Sequence, residues 1–254
     1  MKLRRIKLFS VAALLVVLFG FSTAHAVVEV EGRYWFTNLD SSFKSSSTSI
    51  VGTEVDLVDD LGIDDKRNFW EGRISLNLGG SKLRYAYMPM SWSGSKHITK
   101  SVVFAGKTYS ASTKVDTELD VKYHRLGYEY DLVNTHDNKL GVIFDVKYFV
   151  IDANVKADAL GFNESESVKA PVPTIGLAMQ AALPLTLNVG AEATGIKLGK
   201  GKYLFDGEAR FSVHPVSFVT ATLAYRVLKI HLEEGDDMGE IKLKGPYVML
   251  VAGF

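Results

Sequence analysis

Ser212 and His214 stand two residues apart. In a β-strand that spacing puts a hydroxyl and an imidazole on one face, where a base could activate a nucleophile. His231 lies close to Glu233 and Glu234, a second set able to move protons. Asp59, Asp60, Asp64 and Asp65 share one acidic stretch, and Glu234, Asp236 and Asp237 share another. Such hard oxygen ligands suit Ca²⁺ or Mg²⁺, although the spacing matches no EF-hand loop. The remaining motif is a Glu-Gly-Arg triplet that occurs twice, at Glu31–Arg33 and Glu71–Arg73, with a relative, "DGEARFSV", beginning at Asp206. A carboxylate and a guanidinium two apart on one strand face make an ion pair rather than a catalyst. Apolar and aromatic neighbours such as Val30, Tyr34, Trp70 and Ile74 occupy the other face.

These residues sit in alternating apolar and polar segments, the period of a β-strand. Ten segments can be drawn, at about 27–38, 68–78, 82–92, 118–132, 139–151, 171–183, 185–197, 202–213, 218–231 and 240–254. In the fourth, the apolar parity changes from Val121 and Tyr123 to Leu126, Tyr128, Tyr130 and Leu132. A β-bulge near His124 is the expected cause. Connections after even segments are short, at 79–81, 133–138, 184 and 214–217. Most after odd segments are long, at 39–67, 93–117, 152–170 and 232–239. Only the one at Gly199 is tight. Short turns at one end and long loops at the other belong to a transmembrane barrel rather than to a soluble sandwich. Aromatic residues collect near segment ends: Tyr34, Phe36 and Trp70 at the loop end, and Tyr128, Tyr130, Phe211 and Phe218 at the turn end.

In such a barrel the aliphatic face meets lipid and the mixed polar face lines a narrow lumen. The expected lumen acids are Glu29, Glu31, Glu71, Asp145, Glu192, Asp206 and Glu208. The expected bases are Arg33, Arg73, Lys82, Arg84, Lys147, Arg210 and Arg226. Ten strands enclose little space, so these charges are expected to pair across the interior.

The chain begins with a basic stretch (Lys2, Arg4, Arg5, Lys7), an apolar run over 8–21 and Ala24-His25-Ala26. That is the pattern of a signal peptide over 1–26, leaving a barrel domain over 27–254. Removing those four bases from the 29 Lys and Arg leaves 25 against 29 acids, which is no nucleic-acid footprint. No cysteine is present, so disulfides, thiolate metal sites and lipid attachment through cysteine are excluded. The sequence closes on "GPYVMLVAGF". A last strand ending in an aromatic residue, here Phe254, resembles the assembly signal of Gram-negative outer-membrane β-barrels. The resemblance implies an outer-membrane location and insertion by the barrel-assembly machinery, and no particular activity. Outer-membrane proteases also have ten strands, but their catalytic motifs are not found here.

The expected fold is therefore all-β, an antiparallel transmembrane β-barrel of ten strands, with eight as the alternative. Its termini lie on the periplasmic side. The expected function is that of a non-enzymatic, monomeric outer-membrane protein with a salt-bridged lumen. Its loops would contact an external partner or stabilise the envelope beside lipopolysaccharide. The alternatives are a small passive channel for ions or solutes and an outer-leaflet enzyme, either lipid A-modifying or protease-like. Ser212 and His214 fall at the periplasmic end, which favours a turn histidine. His231 lies on the outer rim, with no evident nucleophile. No cofactor is expected beyond Ca²⁺ or Mg²⁺ at the outer loops, where the acidic stretches of 39–67 and 233–240 would meet as the first and last strands pair.

Overall fold

The computed structural model describes residues 27–44, 53–98, 101–104, 107–109, 112–135, 138–157, 161–184, 186–216 and 218–253. The signal-peptide pattern over 1–26 and the terminal Phe254 lie outside the described residues. Among the described residues there are twelve strands: β1 (Val27–Lys44), β2 (Lys66–Asn77), β3 (Ser81–His97), β4 (Val102–Phe104), β5 (Lys107–Tyr109), β6 (Lys114–Asn134), β7 (Asn138–Ala157), β8 (Phe162–Leu183), β9 (Leu187–Lys197), β10 (Tyr203–Val216), β11 (Val219–Glu234) and β12 (Asp237–Gly253). Ten of them close into one antiparallel barrel in the order β1-β12-β11-β10-β9-β8-β7-β6-β3-β2, and β4 with β5 forms a separate hairpin. Closure leaves no lipid-exposed sheet edge, the condition for crossing hydrocarbon with strands.

The apolar band faces outward. Trp70, Ile74, Leu76, Leu126, Phe144, Ile175, Leu177, Leu223, Val248 and Leu250 are all exposed on the outer wall. The strands then run on past this band at the end opposite the termini, and there the two faces exchange character. On β6, Leu126 and Tyr130 point out while Arg125 and Glu129 are buried. Further along the same strand, Val115, Leu119, Val121 and Tyr123 are buried while Glu118, Asp120 and Lys122 face outward. β3 continues from buried Arg84 to buried Met88, Met90 and Trp92, and β7 from buried Asp145 and Lys147 to Phe149. Above the membrane band the barrel is built like a soluble domain, with an apolar core and a polar exterior.

This exchange replaces the bulge expected near His124. β6 pairs with β3 without interruption from Tyr130 to Lys114, and its irregularity against β7 lies between Asp131 and Val133. The apparent slip in parity is a change of environment, not of register.

The strands also absorb much of the expected loops. The connection over 232–239 is a tight hairpin in which Glu234 pairs with Asp237 around Gly235, whose φ is +64°. Residues 53–65 fold back onto the barrel mouth. Phe43 and Val55 exchange backbone hydrogen bonds at 2.8 and 2.7 Å, and Ile63 bridges to Gly94 of β3. A Cβ at Gly94 would stand 2.6 Å from the backbone of Gly62, so this docking requires glycine. Leu57 and Ile63 thereby enter the upper apolar core.

Above the membrane the wall is uneven. β8 pairs with β7 along its whole length, but with β9 only over residues 175–183. Pro171 and Pro173 stand just past the point where β9 pairing stops. Proline lacks a backbone donor and is tolerated on an edge strand, which it also protects from further pairing.

Candidate functional site

The interior carries the chemistry. Alternation along the barrel strands turns one residue in two inward, and in the membrane-spanning half many of those are charged. Arg33 reaches Glu208 at 2.9 Å and Glu31 at 3.1 Å, with Glu71 at 3.7 Å and its guanidinium lying 5.0 Å over the Tyr247 ring. Arg226 grips Asp206 through Nε (2.9 Å) and Nη2 (3.0 Å), donates to Glu71 at 2.6 Å and stacks 4.9 Å over Trp35. Arg125 donates to Asp145 and Glu192, both at 2.6 Å. Arg84 joins Glu192 (2.8 Å) to Glu129 (3.4 Å), and Arg73 pairs with Glu71 at 3.2 Å. Lys147, wholly buried, donates to Asp145, Thr174 and Thr194 at 2.7–2.9 Å. Arg210 meets Glu208 at 3.2 Å, and Lys82 meets Glu29 at 2.9 Å near the periplasmic mouth.

Sequence reasoning missed four members. Arg125 and Glu129 are buried in the network, and Lys139 joins Glu129 (2.9 Å) to Asp131 (3.1 Å). The signal was the unbroken odd parity of β6, hidden by the supposed bulge. Multidentate guanidinium–carboxylate contacts are the strong form of ion pair, and a buried charge is tolerable only when paired this way. The arrangement is a filling. Below it, a polar cavity of about 190 Å³ opens at the periplasmic end beside Glu29, Lys82, Lys139, Asn188 and His214. Above it lies the apolar layer of Trp35, Phe69, Met88, Trp92, Tyr123, Phe149, Leu228 and Leu243.

The other candidates are placed as follows. Ser212 hydrogen-bonds Thr222 (2.8 Å), whereas His214 meets Asn188 (3.0 Å) and the Thr186 carbonyl (3.3 Å), so the two are not joined as nucleophile and base. His231 Nδ1 lies 2.9 Å from Glu240, Nε2 lies 3.9 Å from Glu233, and the ring stacks on Tyr203 at 5.1 Å. This group faces outward above the membrane band. Partial burial pushes the Glu240 carboxyl upward, but hydrogen bonds from Lys229 and His231 prevail and hold it below its usual range.

The acidic stretches lie in two places, residues 53–65 and the β11–β12 hairpin. Among the described residues, no group of three or more His, Asp or Glu side chains is arranged to hold a metal ion. The carbonyl of Asp59 takes a hydrogen bond from Lys96 of β3, and Asp64 lies 3.9 Å from Arg67. The Asp60 carboxylate accepts from the Asp56 amide, within a turn where Asp56 in turn accepts from Val58 and Asp59. The carbonyl of Asp65 accepts from the Leu39 amide. Asp236 and Asp237 belong to the separate β11–β12 hairpin, beyond the point where Lys44 pairs with Met238.

Among solved structures, the outer membrane protease OmpT from Escherichia coli has a TM-score of 0.59 with this chain. It is 8% identical, and the match covers 90% of this chain and 97% of that one. With the closed ten-strand barrel and its outward apolar band, that likeness decides the fold. The chain has the fold of an outer-membrane β-barrel. More distant matches are the translocator domain of autotransporter NalP from Neisseria meningitidis and Ail, the attachment invasion locus protein of Yersinia pestis. NalP gives a TM-score of 0.40 at 11% identity, covering 95% of this chain and 92% of that one. Ail gives 0.38 at 9%, covering 91% and 100%. No family model matches the barrel, and no curated protein matches it. These likenesses concern the fold alone.

Proposed function

We propose that this barrel is a non-conducting surface protein of the Gram-negative outer membrane. The membrane-spanning half is an anchor, and the extracellular extension of its strands is the working surface. The observation that carries this reading is the filled interior. The buried charged residues from Glu31 to Arg226 are 0–8% exposed, and a second, apolar layer lies over them. A passive channel needs a continuous wet path, and two stacked layers of opposite chemistry oppose one. The extension suits contact with an external partner, because its outer wall is polar and its core holds it rigid.

Planar-bilayer recording of the full-length protein tests the reading. The expected result is no discrete conductance steps above the lipid baseline. A large and steady conductance from unmodified protein would overturn it in favour of the channel.

A further inference from the structure

We propose that the periplasmic mouth of the barrel is a binding site for a single carboxylate group, held by Arg210 and Gln180. The site lies at the other end of the barrel from the proposed working surface. It goes beyond the surface-protein reading and does not depend on it.

The first observation is an arginine with donors to spare. Arg210 of β10, Gly190 of β9, Gln180 of β8 and Lys139 of β7 are successive cross-strand partners, so they form one row around the inside of the mouth. Arg210 commits Nη1 to Glu208 at 3.2 Å. Its Nε and Nη2 donate to no group among the described residues, and the Gln180 amide has no partner among them either. Nε and Nη2 lie over Gly190, where a Cβ would stand 3.5 and 3.4 Å from them. Glycine at this point of the row leaves the guanidinium room beside Gln180. Nε and Nη2 make one edge of the guanidinium, and the two N–H donors of such an edge match the two oxygens of a carboxylate. Glu208 does not depend on Arg210 alone, because Arg33 reaches it at 2.9 Å. The lysines nearby are already engaged, Lys139 with Glu129 and Asp131, and Lys82 with Glu29.

The second observation is the cavity that this row lines. It measures about 190 Å³, and its wall carries five basic side chains against three acidic ones. Exposure is graded along it. The side chains of Lys82, Lys139 and Arg210 are 20%, 23% and 18% exposed, whereas that of Arg84, deeper in, is 4% exposed. Solvent thus enters from the turn end and stops at Arg84, whose buried Nε has no hydrogen-bond partner. A buried donor without a partner calls for a compensating group, and an anion in the cavity places negative charge beside it. The volume is well below the roughly 300–1,000 Å³ of pockets that enclose a whole drug-sized ligand, so the site takes a terminal group. Glu29 and Glu129 stand on the same wall. They repel a dianion more than a monoanion, which favours carboxylate over phosphate. Carboxylates reach this mouth from two sources, small acids dissolved in the periplasm and the peptide stems of the cell wall.

The test uses the full-length protein extracted from outer membranes in mild detergent. Equilibrium dialysis at neutral pH and constant ionic strength measures binding of labelled acetate, of a soluble cell-wall muropeptide and of inorganic phosphate. Wild type is expected to bind one carboxylate ligand per barrel, with phosphate at least tenfold weaker. Tighter binding of the muropeptide than of acetate assigns the group to the cell wall, and the reverse assigns it to small acids. R210M is expected to lose at least tenfold in affinity for the tighter carboxylate, and Q180L at least threefold, both with unchanged heat-shifted gel mobility. Where R210M does not fold, Q180L is read alone, because Gln180 is exposed. K200Q, in the hairpin at the outer end, is expected to bind like wild type. The proposal is overturned if wild type binds neither acetate nor the muropeptide in the millimolar range, or binds phosphate as tightly. It is equally overturned if R210M and Q180L bind like wild type, or if K200Q loses as much as they do.

Discussion

The two halves of the barrel interior solve the same problem with opposite chemistry. In the membrane-spanning half the outside is hydrocarbon, so the apolar residues are spent there and the inside is closed by paired charges such as Arg226 with Glu71 and Asp206. Above the membrane the outside is water, and Met88, Trp92, Tyr123 and Phe149 close the inside as an ordinary core. β3 and β6 run paired through both halves without a break in register. Which face of a strand is apolar is therefore set by the solvent around each stretch, not by the strand. The two fillings should also fail differently, because removing half of an ion pair strands a charge while removing a core side chain leaves a void.

The largest effect is expected in the lower half. Arg226→Met leaves the carboxylates of Glu71 and Asp206 without their main partner in a dry interior. Breaking a buried pair in this way costs roughly 3–5 kcal/mol. The urea midpoint of the heat-modifiable folded band in detergent is expected to fall accordingly. Adding Glu71→Gln and Asp206→Asn to the same chain is expected to recover most of the loss, since a neutral, well-packed replacement of a buried ion pair is often tolerated. If Arg226→Met alone matched wild type, the charges would be spectators and the contrast between the halves would disappear.

The upper half is expected to respond more locally. Met88 has no exposed surface and packs in the apolar cluster that Leu57 and Ile63 of the first loop enter. Met88→Ala leaves a cavity in that cluster, at a cost of about 2–5 kcal/mol. The expected readout is faster protease clipping within residues 53–65, while the membrane-embedded fragment stays folded and heat-shifted. Loss of the embedded fragment along with the loop would mean that the two halves unfold as one unit.

All ten barrel strands could be drawn from alternation, because below the membrane boundary the period is clean: Trp70, Ile74 and Leu76 out, Glu71, Arg73 and Ser75 in. Their upper ends could not. There Asn38 and Asp40 take the outward positions that Tyr34 and Phe36 hold lower down, and a strand whose pattern inverts reads as a loop. The same inversion on β6 suggested a bulge, and Arg125 and Glu129 were left out of the expected lumen charges. The docking of loop one on β3 was not legible, because the Ile63–Gly94 bridge joins distant segments and local pattern says nothing about it. The capping inside loop one was not legible either: the Asp56 carboxylate accepts from the Val58 and Asp59 amides, and the Asp59 carbonyl accepts from Lys96 of β3.

The smallest expected effect comes from the outer surface, where charges pair in water. Hydrogen bonds from Lys229 and His231 outweigh partial burial and hold the Glu240 carboxyl below its ordinary value of 4.5. A carboxyl whose folded pKa is depressed contributes stability that is fully present above the unfolded pKa. That contribution is lost as pH falls through the folded one. The β11–β12 hairpin tip is thus expected to loosen below about pH 4.5, and not between pH 5 and 7 on account of Glu240. Solvent screens an exposed pair, so its worth is a few tenths to about 1 kcal/mol, well under the buried pairs of the lower lumen. Hydrogen exchange at amides near Glu240 and His231, compared at pH 6 and pH 3.5 after correction for intrinsic rates, measures it. Glu240→Gln is expected to show the faster exchange already at pH 6 and to remove most of the pH dependence at this tip. An unchanged pH dependence in that variant would assign the effect to other carboxylates. A loss as large as that of Arg226→Met would show that exposed and buried ion pairs do not differ here as their surroundings require.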